Sequence, residues 1–354
     1  EIQVDSGGLQ AITLGKDVND EMKDGVYRTQ SKYGTIGFSF DVMPLKLIND
    51  KSSFHDTSGR FFDPSMIKQC AIESGKNLAR QIEVYLEEKT VCRPMLIIQG
   101  NSYKWYQKWA DYALAQIPKN HLQYIAGISS GAGALGQGLR EDVERVFTLS
   151  QLNVPAHLKK RFHLLGFGSM NRLIPVIQLR KAGLFDDDVL FTYDSTKHTG
   201  SVVRGQFQDG PKIMQMSRQK DKMFHKAFLH VSEVSKNVFG YDLDEDDLYM
   251  TICRPSADWA EKYGSADFKF EERNLSKYAF FLYSVYEVMR CVKLMEDDDT
   301  NIAKIRKKDY NEFISLKNIR DAHDYNEWKL HAGRAIRSKG VRNLDDHSSL
   351  ENFL

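Results

Sequence analysis

Six short apolar runs rich in β-formers, separated by stretches with helical spacing, limit the folds open to this chain more than any other feature. The runs are Ile2–Asp5, Thr35–Asp41, Met95–Gln99, Tyr124–Ser129, Phe162–Gly166 and Val189–Asp194. Between them, Pro64–Glu88, Lys104–Ala115, Leu139–Leu149 and Asn171–Ala182 carry apolar residues at helical spacing. Strands alternating with helices predict a parallel sheet. The runs are nearly continuous in apolar character, as strands covered on both faces should be.

Two α/β architectures meet this pattern: an open doubly wound sheet and a closed (β/α)8 barrel of the TIM type. A barrel needs eight strands, and the sequence supplies six runs. The chain opens on Glu1, already inside a strand, so two missing N-terminal strands would complete the count. That geometry favours the barrel and keeps the open sheet as the alternative. Beyond about residue 205 the character changes. Segments 213–236, 256–263, 273–295 and 301–338 read as charge-rich helices with little strand signal. The expected division is a barrel domain over 1–205 and a helical region over 206–354. Asp242–Asp247 is acidic, and Ile302–Lys308 and Arg334–Arg342 are basic. Each reads first as a solvated face and second as a binding surface.

Composition narrows the partners. With 354 residues, 42% hydrophobic and 27% charged, the chain can bury a sizeable core. A formal net charge of +1 means that any nucleic-acid binding must come from local patches. No apolar run reaches the roughly 18 residues a transmembrane helix needs, and no signal peptide opens the chain, so no membrane is expected as partner. Cys70, Cys92, Cys253 and Cys291 are widely spaced with no CxxC or CxC pair. They read as reduced thiols in a cytoplasmic protein rather than as a zinc site, and no metal is expected.

The polar residues stand where a barrel would use them. Asp5, Asp41, Gln99, Ser129 and Asp194 each end an apolar run. In a (β/α)8 barrel these strand ends converge on one pocket. A single aspartate there commonly caps a helix or starts a turn. Three carboxylates and an amide at successive strand ends ask for another explanation, because buried carboxylates are costly unless paired or functional. Gly7-Gly8 and the glycine-rich loop Gly127–Gly138 would let backbone groups approach a planar or anionic ligand. The GxGxxG order from Gly131 to Gly136 lacks the acidic partner of a dinucleotide site. Ser6 lacks the context of a hydrolase nucleophile. His163 reads as a satisfied core histidine, and His198 as a phosphate contact.

These residues also carry a family resemblance. Val4-Asp5-Ser6-Gly7-Gly8-Leu9-Gln10 resembles the DSGG[FY]Q signature of the tRNA-guanine transglycosylases, which swap guanine for a 7-deazaguanine. Phe38-Ser39-Phe40-Asp41 and Ile97-Ile98-Gln99-Gly100 are similar to that family's base-reading strands. Ile125-Ala126-Gly127-Ile128 stands where the family has GGLAVG, and Phe162–Gly168 resembles its HYLMGVG strand. Phe191-Thr192-Tyr193-Asp194-Ser195 resembles the last strand, which carries the nucleophilic aspartate. Asp186, Asp187 and Asp188 lie just upstream, but Asp194 ends the apolar run and precedes Ser195. The six motifs span roughly residues 2–205 and resemble strands three to eight of a (β/α)8 barrel.

The resemblance implies a pentosyltransferase in which Asp194 is the nucleophile and Asp5 the general acid/base. Asp41, Gln99, Gly127, Ile128 and Ser6 would bind the base, and Lys197, His198 and Arg204 the nucleic-acid backbone. Two departures alter the expected substrate. The family's CxCxxC…His zinc site is missing, and Thr196-Lys197-His198-Thr199 replaces its Pro-Thr-Arg segment. The chain therefore looks closer to the DNA-guanine transglycosylases of bacterial and phage 7-deazaguanine DNA modification. The expected partners are DNA and a free 7-deazaguanine base of the preQ0 type, with no cofactor. A homodimer is compatible with this. A tRNA enzyme lacking the zinc site, an inactive nucleic-acid-binding accessory subunit and an unrelated barrel glycosidase stand as alternatives.

Overall fold

All six apolar runs form strands, and all six join one parallel sheet. The computed structural model describes residues 1–6, 18–47, 60–62, 64–100, 102–131, 139–194, 201–202, 206–215, 232–233, 236–237, 242 and 270–332. In chain order the first part runs β1 (Gln3–Val4), α1 (Asp20–Tyr33), β2 (Ile36–Phe38), β3 (Leu45–Leu47), β4 (Arg60–Phe62), α2 (Ile67–Glu87), β5 (Arg93–Ile98), α3 (Tyr103–Leu114), β6 (Gly127–Ser130), α4 (Leu139–Gln151), β7 (Arg161–Leu164), α5 (Met170–Lys181) and β8 (Leu190–Tyr193). Strands β3 and β4 pair antiparallel with each other as a separate ribbon.

The sheet order is β1-β2-β5-β6-β7-β8, strictly sequential. A doubly wound sheet reverses its strand order at a switch point, and no reversal occurs here. Successive right-handed crossovers in one direction place the connecting helices on one face, and the sheet then curls to cover its other face. Two contacts measure the curl. Phe38 on β2 and His163 on β7 are separated by β5 and β6, about 14 Å in a flat sheet, yet their rings lie 4.7 Å apart. At the opposite ends of the strands, Arg161 at the start of β7 forms a two-pronged ion pair with Glu1 before β1. The molecule is thus α/β with a curled six-stranded parallel sheet.

The two faces have separate cores. Ile36, Phe38, Met95 and Ile97 line the concave side with Ala126 and Leu165. On the convex side Tyr27 of α1, Phe40, Val84, Tyr85 and Cys92 pack together. Helix α2 buries Ile67, Cys70, Ala71, Ser74, Leu78, Gln81, Ile82 and Tyr85, a stripe at three- and four-residue intervals. Trp109 of α3, fully buried, donates its indole N–H to the Ile97 carbonyl at 2.9 Å.

Contacts divide the chain into two units: Glu1–Gly166 with Gln178–Asp194 and Ser315–Leu354, and Phe167–Ile177 with Ser195–Ile314. The second holds the hairpin β9 (Gln206–Asp209) and β10 (Lys212–Gln215), then α6 (Phe270–Asp297), α7 (Thr300–Arg306) and α8 (Tyr310–Ser315). The last helix, α9 (Ala322–Ala332), belongs to the first unit, where Tyr325 stacks on Phe147 of α4 at 4.3 Å.

Two expectations need correction, and one helix went unread. Helix α1 was not foreseen. The segment expected as a helix from residue 213 begins instead as β10, because Asp209-Gly210-Pro211 turns the chain back on itself. Ser284 and Glu287 of α6 fasten that hairpin, accepting from the Gln208 and Gly210 N–H groups. The helix expected over 301–338 is broken into α7, α8 and α9. Asp321 caps the last of these by accepting from the N–H groups of His323 and Asp324. Among the described residues no helix is long and apolar enough to cross a membrane.

Candidate active site

The carboxylates and the amide singled out in the sequence leave the C-terminal ends of β1, β2, β5 and β8. Their order along the sheet, Asp5, Asp41, Gln99 and Asp194, follows the strand order. Asp186 and Asp188 precede β8 at its other end and are held by Lys160 at 2.7 and 2.9 Å. They belong to the opposite rim, which separates them from Asp194.

Asp41 and Gln99 meet directly. The Gln99 side-chain N–H donates to Asp41 Oδ2 at 2.6 Å. Burial pushes the Asp41 carboxyl above the usual range, the Gln99 hydrogen bond opposes that, and the charge of Asp5 pushes it further up. Asp5 and Asp41 are therefore electrostatic neighbours, with Asp41 biased towards holding a proton. Asp5 is exposed and accepts from the Ser6 N–H at 2.8 Å. Gly131 backs the amide of Gln99: a Cβ there would lie 2.1 Å from Gln99 Nε2. Only glycine leaves Gln99 this position.

At β8, Asp194 is exposed, and its Oδ1 accepts from the Gly166 N–H at 2.6 Å. Gly166 follows β7 and turns with φ +76, a left-handed conformation that presents its N–H to the carboxylate. His163 lies on the concave face between Phe38 and Thr192 and is bonded to the Thr192 hydroxyl at 2.9 Å through Nδ1. Burial holds its pKa at about 4, against the pull of Asp194, so it is neutral at physiological pH. The expectation of a buried, bonded histidine agrees with this. Gly127 and Ile128 begin β6 and are buried, and so is Ser6. Gly7, Gly8, Gln10, Lys197, His198 and Arg204 lie outside the described residues, as does the glycine loop after Gly131.

Sequence reasoning missed the scaffold that fixes the strand ends. Gln30 of α1 is fully buried. Its amide N–H group donates to the carbonyls of Val4, Asp5 and Phe38, at 3.1, 3.3 and 2.8 Å, tying the ends of β1 and β2 together. Its oxygen accepts from Gln81 Nε2 at 2.7 Å and from the Tyr85 hydroxyl at 2.8 Å. Asn77 donates to the Phe40 carbonyl at 2.9 Å, and Ser74 accepts from the Val42 N–H at 2.8 Å. Helix α2 thus clamps both sides of Asp41, while α1 ties the ends of β1 and β2. The one sequence signal for this was Ser74 and Gln81 on the otherwise apolar stripe of α2.

Compared with protein-family models and with curated proteins, the chain matches none.

Proposed function

We propose that this chain is a guanine transglycosylase that exchanges guanine in DNA for a 7-deazaguanine base through a covalent aspartyl-nucleotide intermediate. The observation that carries the reading is the pairing of Asp41 with Gln99 beside Asp5, on the same rim as an Asp194 anchored by a backbone N–H. A hydrogen-bonded carboxyl–amide pair is suited to the edge of a purine, which offers both donors and acceptors. A separate, exposed carboxylate is suited to attack on a sugar carbon.

In this reading the sheet represents strands three to eight of a (β/α)8 barrel, with the C-terminal helices handling nucleic acid. The target base is flipped out of the duplex at a cost of a few kcal/mol. An Asp194 oxygen attacks C1′, the bond from C1′ to the guanine N9 breaks, and Asp5 supplies the proton that neutralises the departing base. The 7-deazaguanine then enters between Asp41, Gln99 and the backbone of Gly127 and Ile128, with Ser6 beside it. Asp5 removes its N9 proton, N9 attacks C1′, and the bond to Asp194 breaks. Lys197, His198 and Arg204 hold the phosphates.

The test is exchange of labelled guanine into DNA and into tRNA by the intact chain and by Asp194→Asn and Asp194→Ala. Incorporation into DNA, abolished in both variants, is the expected result. Incorporation into tRNA alone moves the substrate to RNA. Incorporation into neither by the intact chain, or exchange retained in Asp194→Ala, overturns the reading.

A further inference from the structure

One oxygen of Asp194 faces both a bonded backbone N–H and, farther off, an imidazole nitrogen. The Gly166 N–H reaches Oδ1 at 2.6 Å, and His163 Nε2 stands 3.9 Å from the same atom. The far side of the imidazole is fixed as well, with Nδ1 at 2.9 Å from the Thr192 hydroxyl oxygen. That hydroxyl has one proton and two acceptors in reach, His163 Nδ1 and the Phe162 carbonyl at 3.4 Å. Giving the proton to Phe162 would oblige Nδ1 to carry hydrogen, and a bare Nε2 lone pair would then face the carboxylate across 3.9 Å. Giving it to Nδ1 places the ring hydrogen on Nε2, pointing at the anion. Both the shorter distance and the electrostatics select the second arrangement.

We infer that His163 is a positioning residue for Asp194, held by Thr192 as the neutral Nε2–H tautomer so that its N–H and that of Gly166 both address Oδ1. Oδ2 is then the oxygen directed at C1′. Resting on the transglycosylase reading, the inference adds an orienting histidine to the proposed nucleophile. Several features favour orientation over proton transfer. The ring is buried to 4% exposure, lies 4.7 Å from the Phe38 ring and has Thr192 on its other nitrogen. An imidazole confined in this way keeps its plane and its donor direction through the reaction.

Imidazole nitrogen NMR of the intact chain tests the tautomer, with the His163 signals assigned by their loss in His163→Gln. The expected pattern at neutral pH is a protonated Nε2 and a bare Nδ1. Thr192→Val should shift the tautomer equilibrium, and Asp194→Asn should move the Nε2 proton resonance. A protonated Nδ1 in the unsubstituted chain, or an Nε2 signal indifferent to Asp194→Asn, overturns the inference. In exchange assays His163→Leu should lower kcat by about 10- to 100-fold with the KM for the free base unchanged. His163→Gln, which keeps an N–H donor, should recover part of that loss. Equal losses in the two variants, or a loss carried by KM, also overturn the inference. A chain with the expected tautomer and no exchange on any nucleic acid would instead refute the transglycosylase reading.

Discussion

Replacing His163 by Phe makes the burial of this imidazole measurable as stability. The fold depresses the His163 pKa from the ordinary 6.5 to about 4, chiefly by desolvation, with Asp194 opposing. The folded state therefore favours the neutral ring, while the unfolded chain takes up a proton below about pH 6.5. This contribution is fully present above the unfolded value and is lost as pH falls towards the folded one. Each tenfold step in proton affinity corresponds to about 1.4 kcal/mol. Between about pH 7 and about pH 4.5 the loss should be on the order of 2 to 3 kcal/mol. Phenylalanine keeps an aromatic ring beside Phe38 and cannot titrate. At neutral pH its cost should be about 1 kcal/mol for the Thr192 hydrogen bond, since Thr192 still reaches the Phe162 carbonyl. Urea unfolding of both proteins at the two pH values, followed by tryptophan fluorescence, provides the comparison. Carboxylates protonate in both proteins and cancel in the difference. The unsubstituted chain should lose about 2 to 3 kcal/mol more than His163→Phe on acidification. Equal losses would refute the reasoning, because His163 would then be as well solvated folded as unfolded.

Gln30→Ala should cost about 3 kcal/mol or more in urea unfolding, since it strips hydrogen bonds from buried carbonyls and from Gln81 and Tyr85 together. Combined with Gln81→Ala it should be clearly non-additive, and simple additivity would show that the two amides do not act as one network. Gly131→Ala should displace the Gln99 amide. The expected outcome is weaker binding of a 7-deazaguanine by calorimetry, by about 10-fold or more, with a modest change in stability. Unchanged affinity would remove Gln99 from the base-reading role.

The strands were legible because each is short, largely apolar and bounded by turn-forming residues; the structure buries β2, β5, β6 and β7, while the edge strands β1 and β8 stay partly exposed. Helix α1 was not. Its sequence is polar with Gly25 inside, and it buries only Tyr27 and Gln30, so the thin stripe of Met22, Val26 and Tyr33 is submerged among charged residues. It forms around an Asn19 cap that accepts from the Met22 N–H, with Asp20 and Glu21 in the first turn. The β9–β10 hairpin did carry a signal, Asp209-Gly210 between alternating residues, which the surrounding charge obscured. Asp5, Asp41, Gln99 and Asp194 were legible as strand-end residues because strand polarity alone places such residues on one rim. The groups that aim them were not. Gln30 meets Gln81 and Tyr85 across 51 and 55 positions, and His163 meets Thr192 across 29. Local pattern carries no information over such separations.

The sequential strand order has a consequence for how the site is owned by the chain. Neighbours in the sheet are neighbours in the sequence, so a cut between α2 and β5 would leave two contiguous blocks with no strand drawn from the middle. The blocks would meet along the β2–β5 ladder, with the Phe38–His163 and Glu1–Arg161 contacts closing the curl. Asp5 and Asp41 fall in the first block, and Gln99, His163 and Asp194 in the second. Neither block holds a complete site, and the bond between Asp41 and Gln99 is itself a seam between them.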